Sequence, residues 1–68
     1  MLELTRQREA AGWTRMELGF RARIHPVRVG QIENGRVRPR ADSVELQRLA
    51  MALSYEGDPK DLLDEVQS

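Results

Sequence analysis

The sequence contains no cysteine and only one histidine. Without thiols it can form neither disulfides nor thiolate metal sites, and a single imidazole does not make a histidine cluster. No apolar run approaches the ~18 residues that cross a membrane, and no basic segment followed by an apolar signal core precedes the first helix. We therefore expect a soluble intracellular protein without a metal or another cofactor.

The chain also lacks the length and the residue groupings that an enzyme needs. Its 68 residues suffice for one domain, residues 1–68, but not for a substrate cleft with a lid. No nucleophile and base pair, carboxylate pair or metal-ligand spacing can be assembled from it. The sequence therefore predicts a single, non-enzymatic domain whose core supplies only about 3–5 kcal/mol.

The net charge is zero, but the charges are divided along the chain. Residues 1–40 contain nine arginines and four glutamates, a balance of +5, and residues 41–68 have the opposite balance of −5. A basic half can attract phosphate if its arginines share a face, because the local field matters more than the net charge. The alternative is an arginine-rich surface that contacts only solvent.

Glycine and proline positions divide the chain into five predicted helices, and no segment alternates with the period of a strand. The predicted class is therefore all-α. The first helix runs from Leu2 to Ala11 and stops at Gly12, a residue suited to a C-terminal cap. Thr14 can cap a second helix, residues 15–22, with Glu17 completing a capping box.

Three further helices follow in the predicted order. Proline suits a first helical turn, so a helix starts at Pro26 and ends before the pair Asn34-Gly35. After a basic loop, Asp42 or Ser43 can cap a fourth helix, whose apolar residues are Val44, Leu46, Leu49, Ala50 and Leu53. The segment Gly57-Asp58-Pro59 introduces a last helix with Leu62, Leu63 and Val66.

Two short helices joined by a tight turn form the arrangement in which a recognition helix enters the major groove of DNA. The sequence from Leu4 to Leu63 resembles the Xre/Cro-type helix-turn-helix family, which includes phage repressors. The resemblance is carried by Gly12, Thr14, Leu18, Ala22, Ile24, Ile32, the ending Glu33-Asn34-Gly35 and the basic, proline-containing loop after it. It implies a compact five-helix, lambda-repressor-like domain, with the motif at about 14–35 and the recognition helix at about 26–33.

The resemblance also implies which residues read bases. Carried over by position, these are Pro26, Val27, Arg28, Gly30 and Gln31. Gln31 suits the N6 and N7 atoms of adenine, Val27 a thymine methyl, and Arg28 a guanine or a phosphate. Arg15 stands where the family usually has glutamine, and its longer, charged donor can reach a phosphate or guanine.

Phosphate contacts are expected from Thr14, Asn34, Arg36, Arg38 and Arg40. The family further pairs an arginine late in the first helix with the glutamate of Glu-Asn-Gly, which here are Arg8 and Glu33. One departure concerns the turn: Arg23 occupies a position that is usually glycine, although arginine tolerates positive φ poorly.

The function implied is that of a sequence-specific, double-stranded DNA-binding transcriptional regulator, a repressor of bacterial or phage origin in the cytoplasm. We expect a symmetric homodimer, with Leu53, Tyr55, Leu62, Leu63 and Val66 of the acidic C-terminal helices as its surface. The alternative for these residues is closure of the domain's own core, which must include some of them. The alternative is a protein-interaction module of the same fold, such as an antitoxin or a phage inhibitor. Met16 and Phe20 favour this alternative, because they are apolar residues one turn apart where the family has polar ones.

Overall fold

A computed structural model describes residues 1–66, which form four α-helices and one short 3₁₀ segment. The helices are α1 (Glu3–Ala10), α2 (Arg15–Ala22), α3 (Pro26–Glu33) and α4 (Val44–Ala52), and the 3₁₀ segment is Pro59–Leu63. The only β-type pairing among these residues is an isolated antiparallel bridge between Leu2 and Glu65. None of the helices described is both long and apolar enough to cross a membrane.

Side chains cap three of the helices. Thr14 Oγ1 accepts a hydrogen bond from the backbone N–H of Glu17 at 3.1 Å, but the Glu17 carboxylate turns to Arg21 Nε at 2.8 Å. The predicted capping box is therefore only half formed. Ser43, rather than Asp42, caps α4 through Oγ. His25 caps α3 by accepting a hydrogen bond at Nδ1 from the N–H of Val27 at 3.1 Å.

The predicted count of five helices is wrong, because the last segment is a single 3₁₀ stretch. The 3₁₀ segment ends before Asp64, so Val66 does not belong to a last helix as predicted. The N–H of Val66 instead donates a hydrogen bond to the carbonyl oxygen of Met1. The two chain ends thus lie side by side at the bridge between Leu2 and Glu65. The 3₁₀ segment packs against α4 and α1 and buries Leu62 and Leu63 there.

The core lies where α2 meets α3 and α4, with the 3₁₀ segment packed beneath α4 and α1. Its fully buried members are Leu4, Leu18, Val29, Ile32, Leu46, Leu49 and Leu62. Trp13 packs against this core from the loop between α1 and α2 and is partly buried. The helices α2, α3 and α4 therefore each bury one apolar face, whereas α1 buries Leu4 together with Glu3.

The core also includes two residues that we predicted for a dimer surface. Leu62 is 0% exposed and Leu63 is 5% exposed. The prediction that these two side chains face a second subunit is therefore wrong, because a domain of this size needs them for its own core. Leu53, Tyr55 and Val66 remain partly exposed.

The turn between α2 and α3 is unusually tight. Arg23 ends α2 in the left-handed conformation, with φ 59° and ψ 45°, so this arginine adopts the backbone that glycine usually provides. The N–H of Ile24 then donates to the carbonyl of Gly19 at 2.8 Å. A Cβ atom at Gly19 would lie 2.5 Å from the carbonyl oxygen of Ile24. Both residues thus fix how closely α3 approaches α2.

We expect Arg23→Gly to stabilise the domain by about 0.5–1 kcal/mol. A left-handed backbone costs an L-residue ~1–2 kcal/mol, and the greater unfolded-state entropy of glycine offsets part of that gain. Urea denaturation followed by circular dichroism measures the difference. Ala10→Gly is the control, because Ala10 is exposed in the last turn of right-handed α1 and glycine there should destabilise by up to ~1 kcal/mol. A loss of stability in both variants would contradict the argument from backbone strain.

Candidate nucleic-acid interface

The exposed side of α3 and the start of α2 enclose an open, shallow depression. It is lined by Arg15, Pro26, Val27, Gly30, Gln31, Asn34 and Arg36. Five of these residues are predicted base readers and two are predicted phosphate ligands. The fold thus brings seven of the residues singled out in the sequence to one surface.

Arg15 is oriented across this depression by two neighbours. Its Nε donates to Glu33 Oε1 at 3.0 Å, while half of the side chain (51%) stays exposed. A Cβ atom at Gly30 would lie 3.6 Å from Arg15 Nη1 and 3.7 Å from Cδ, so the arginine crosses the helix beside this glycine. Because Arg15 Nε already donates to Glu33, the two Nη groups of Arg15 remain available to donate hydrogen bonds to a ligand.

Glu33, which holds Arg15, is itself buried: its side chain is 1% exposed. Arg8 binds both of its carboxylate oxygens, with Nε 2.7 Å from Oε2 and Nη2 3.2 Å from Oε1. Arg8 Nη1 also donates to the carbonyl oxygen of Trp13 at 2.7 Å. The ion pair therefore joins α1, the following loop and the end of α3, and two arginines compensate one buried carboxylate.

Val27 and Gln31 stand one turn apart on the exposed side of α3. Val27 is 60% exposed, which leaves its methyl groups available to a ligand. Gln31 is partly exposed beside it in the same depression. An amide and an apolar group at this spacing match the edges that adenine and thymine present in the major groove.

The comparison with protein families agrees with this geometry. Residues 2–63 match the family model described as "Helix-turn-helix domain". The chain belongs to this helix-turn-helix family. No curated protein and no solved structure matches the sequence. The motif of this helix-turn-helix domain consists of α2, the turn Arg23–His25 and α3.

Arg28 is the one predicted base reader that does not line the depression. It forms a bidentate ion pair with Glu45, with Nε and Nη2 each 2.8 Å from a carboxylate oxygen. The hydrogen bond to Glu45 raises the pKa of the Arg28 guanidinium above its ordinary value. In this helix-turn-helix domain Arg28 therefore ties α3 to the first turn of α4.

The predicted phosphate ligands lie at several places. Arg36 and Asn34 line the depression, where Asn34 Oδ1 accepts the N–H of Arg36 at 3.0 Å and its amide nitrogen is left to donate. Thr14 uses its hydroxyl to cap α2. Arg38 lines a separate recess beside the 3₁₀ segment, and Arg40 is 88% exposed with Nε 3.6 Å from Asp42. Two of the five residues are thus part of the same surface as the base readers.

Met16 and Phe20 project from α2 into solvent, with 70% and 79% of their surface exposed. They lie one turn apart on the helix. Neither residue lines the depression on α3. The helix-turn-helix domain therefore has an apolar face on α2 that its own core does not use.

Two residues that determine this site were not singled out in the sequence. Gly19 permits the close approach of the turn to α2, and a glycine in the middle of a predicted helix was the signal that could have indicated it. Glu45 fixes Arg28, but no local pattern indicates a partner 17 residues away.

Proposed function

We propose that this helix-turn-helix domain is a sequence-specific regulator of the Xre/Cro type that binds double-stranded DNA with α3 in the major groove. The observation that carries the proposal is the depression on α3, which combines an oriented arginine, an amide and exposed methyl groups. Arginine and glutamine are among the side chains whose donor patterns best match single base pairs, and methyl groups contact thymine. No cofactor is needed for such recognition.

In the proposed complex, each base-reading residue has its own chemistry. Arg15 presents its Nη groups to O6 and N7 of a guanine, and the bond to Glu33 reduces the conformational freedom lost on binding. Gln31 bonds adenine and Val27 packs on a thymine methyl. Gly30 lets the backbone of α3 approach the duplex, since only the Arg15 side chain lies near its missing Cβ.

Phosphate contacts in this complex come from Asn34 and Arg36 beside α3, and from the N–H groups that begin α2. Arg38 and Arg40 add positive charge in the loop that follows. With four to six phosphates neutralised per half-site, binding should depend steeply on salt, with a log–log slope of about −0.9 per phosphate.

A symmetric homodimer remains part of the proposal, because one module offers few base contacts. Two modules on half-sites about 34 Å apart give the palindromic recognition usual for this motif. Since Leu62 and Leu63 belong to the core, the remaining predicted contributors are Leu53, Tyr55 and Val66.

The decisive experiment is selection of bound DNA from a randomised duplex pool, combined with anisotropy titrations at two salt concentrations. A regulator should enrich a palindromic sequence with half-sites one helical turn apart, and this sequence should survive the higher salt. Weak binding that depends only on salt and enriches no sequence would contradict the proposal.

Gln31→Ala should abolish the preference for one base pair in each half-site, a loss of ~1–3 kcal/mol on the selected sequence. Binding to scrambled DNA should change little, because the amide is expected to contact a base edge and not a phosphate. Titrations against selected duplexes that are mutated at single positions measure both effects. Equal losses on selected and scrambled DNA would remove Gln31 from the base readers.

A second candidate function is protein binding by the same fold, supported by the exposure of Met16 and Phe20. Replacing Arg36, Arg38 and Arg40 together by alanine separates the two functions. DNA binding should weaken markedly in that variant, whereas a protein partner on Met16 and Phe20 should still bind.

A further inference from the structure

A second groove lies between the C-terminal end of α2 and the last turns of α4. It is lined by Arg21, Ala22, Arg23, Arg48, Met51 and Ala52. None of these residues lines the depression on α3, so the two surfaces are distinct. Neither Met16 nor Phe20 belongs to it. The groove is therefore separate from every site proposed above.

Three arginines line this groove. Arg23 and Arg48 are exposed and form no ion pair with any residue of the described range 1–66. Arg21 Nε donates a hydrogen bond to Glu17, so the Nη groups of Arg21 remain available to donate hydrogen bonds to a ligand. The carboxylate of Glu17 balances one of the three charges. The groove therefore keeps an excess of positive charge for a ligand.

One of these arginines is held before any ligand binds. The guanidinium of Arg21 lies 4.5 Å from the centre of the Trp13 ring, in cation–π contact, and its Nε donates to Glu17. A ligand that pairs with Arg21 would thus lose less side-chain entropy than one that pairs with a freely moving arginine.

The remaining lining of the groove is apolar. Met51 is 81% exposed, and Ala22 and Ala52 contribute methyl groups. Methionine packs readily on apolar side chains of varied shape, so Met51 offers an apolar contact beside the arginines. Two copies of the groove facing each other in a symmetric dimer would bring like charges together, which disfavours that arrangement. Charge and apolar surface together indicate a peptide with carboxylates beside an apolar side chain.

We propose that this groove binds an acidic segment of a partner protein. Carboxylates of the segment pair with Arg48 and with the guanidinium groups of Arg21 and Arg23, and an apolar side chain between them packs on Met51. This function is additional to DNA binding by α3, since the lining of the depression stays uncovered. A regulator of this design can hold DNA and an acidic partner at the same time.

The probe is a short, fluorescein-labelled peptide of alternating glutamate and leucine, titrated by anisotropy at physiological salt. Arg48→Glu should weaken its binding about tenfold or more, because a like charge then faces the peptide. Met51→Ser should weaken it as well, by the loss of apolar contact. Arg36→Glu is the matched control: it makes the same charge change in the other depression, so it should impair DNA binding and leave the peptide affinity within about twofold.

Circular dichroism verifies that each variant is folded; if Arg48→Glu does not fold, Met51→Ser still tests the groove. Three results would overturn the proposal. The first is no binding of the peptide to the unaltered protein. The second is equal weakening by Arg48→Glu and Arg36→Glu, which would indicate attraction to net charge alone. The third is displacement of the peptide by duplex DNA together with loss of DNA binding in Arg48→Glu, which would assign the groove to nucleic acid.

Discussion

We expect Gly19→Ala to lose a large part of the stability of the domain. The added Cβ would lie 2.5 Å from the carbonyl oxygen of Ile24 and 3.3 Å from the nitrogen of Pro26. Both atoms belong to the backbone of the tight turn, so no side chain can rotate to make room. Overpacking costs about 1–3 kcal/mol and occasionally more, and a core of this size supplies only ~3–5 kcal/mol. Urea and thermal denaturation followed by circular dichroism measure the loss.

The same substitution at Gly30 is the control for Gly19→Ala. Both glycines lie inside helices, but a Cβ at Gly30 would meet only the Arg15 side chain, at an ordinary 3.6 Å. Gly30→Ala should therefore raise the free energy of unfolding by up to ~1 kcal/mol, the difference in helix propensity. If both variants lost the same stability, crowding at the turn would not explain the effect.

The second large effect should follow Arg8→Leu, which removes the bidentate partner of the buried Glu33 carboxylate. We expect a loss of ~3–5 kcal/mol, because Glu33 then keeps only the single bond from Arg15, and burial of an uncompensated charge is costly. The melting temperature should fall substantially. Calorimetry or thermal circular dichroism measures this change directly.

Arg40→Leu is the control for Arg8→Leu. Arg40 is 88% exposed and its partner Asp42 is 79% exposed, so the stability should change by less than ~0.5 kcal/mol. Combining Arg8→Leu with Glu33→Leu should restore part of the lost stability, because the double variant buries no charge. An Arg8→Leu protein that melts like the unaltered protein would contradict a stabilising role for this pair.

Much of the fold could be predicted from the sequence because its signals are local. Proline at residue 26, and threonine and serine at residues 14 and 43, each begin a helix by interacting with the next few residues of the chain. The observed α2 and α3 accordingly have the predicted bounds. The surface that combines Arg15 with Gln31 was also predictable, since the resemblance placed both residues on one motif.

The errors concern contacts between distant segments. Leu62 and Leu63 look like exposed helix residues until α1 and α4 are seen to cover them. The partner of Arg28 was missed, because Glu45 binds it from a helix 17 residues away. The capping box was half wrong for a similar reason, because Arg21 competes for the carboxylate of Glu17. The spacing in the sequence indicates which residues could contact one another, but the packing of the helices determines which contacts form.

The carboxylate of Glu33 is shared by two arginines, which affects how the proposed DNA preference can change. Oε1 of Glu33 accepts from both Arg8 and Arg15, so the arginine that we propose to read a base also helps to neutralise a buried charge. A mutation of Arg15 that alters the preferred base therefore removes one of the two cations around that charge. Arg8 alone then pairs with Glu33, so a new specificity at this residue also changes the pairing of a buried charge. The evolution of the proposed operator sequence is thereby linked to the stability of the domain.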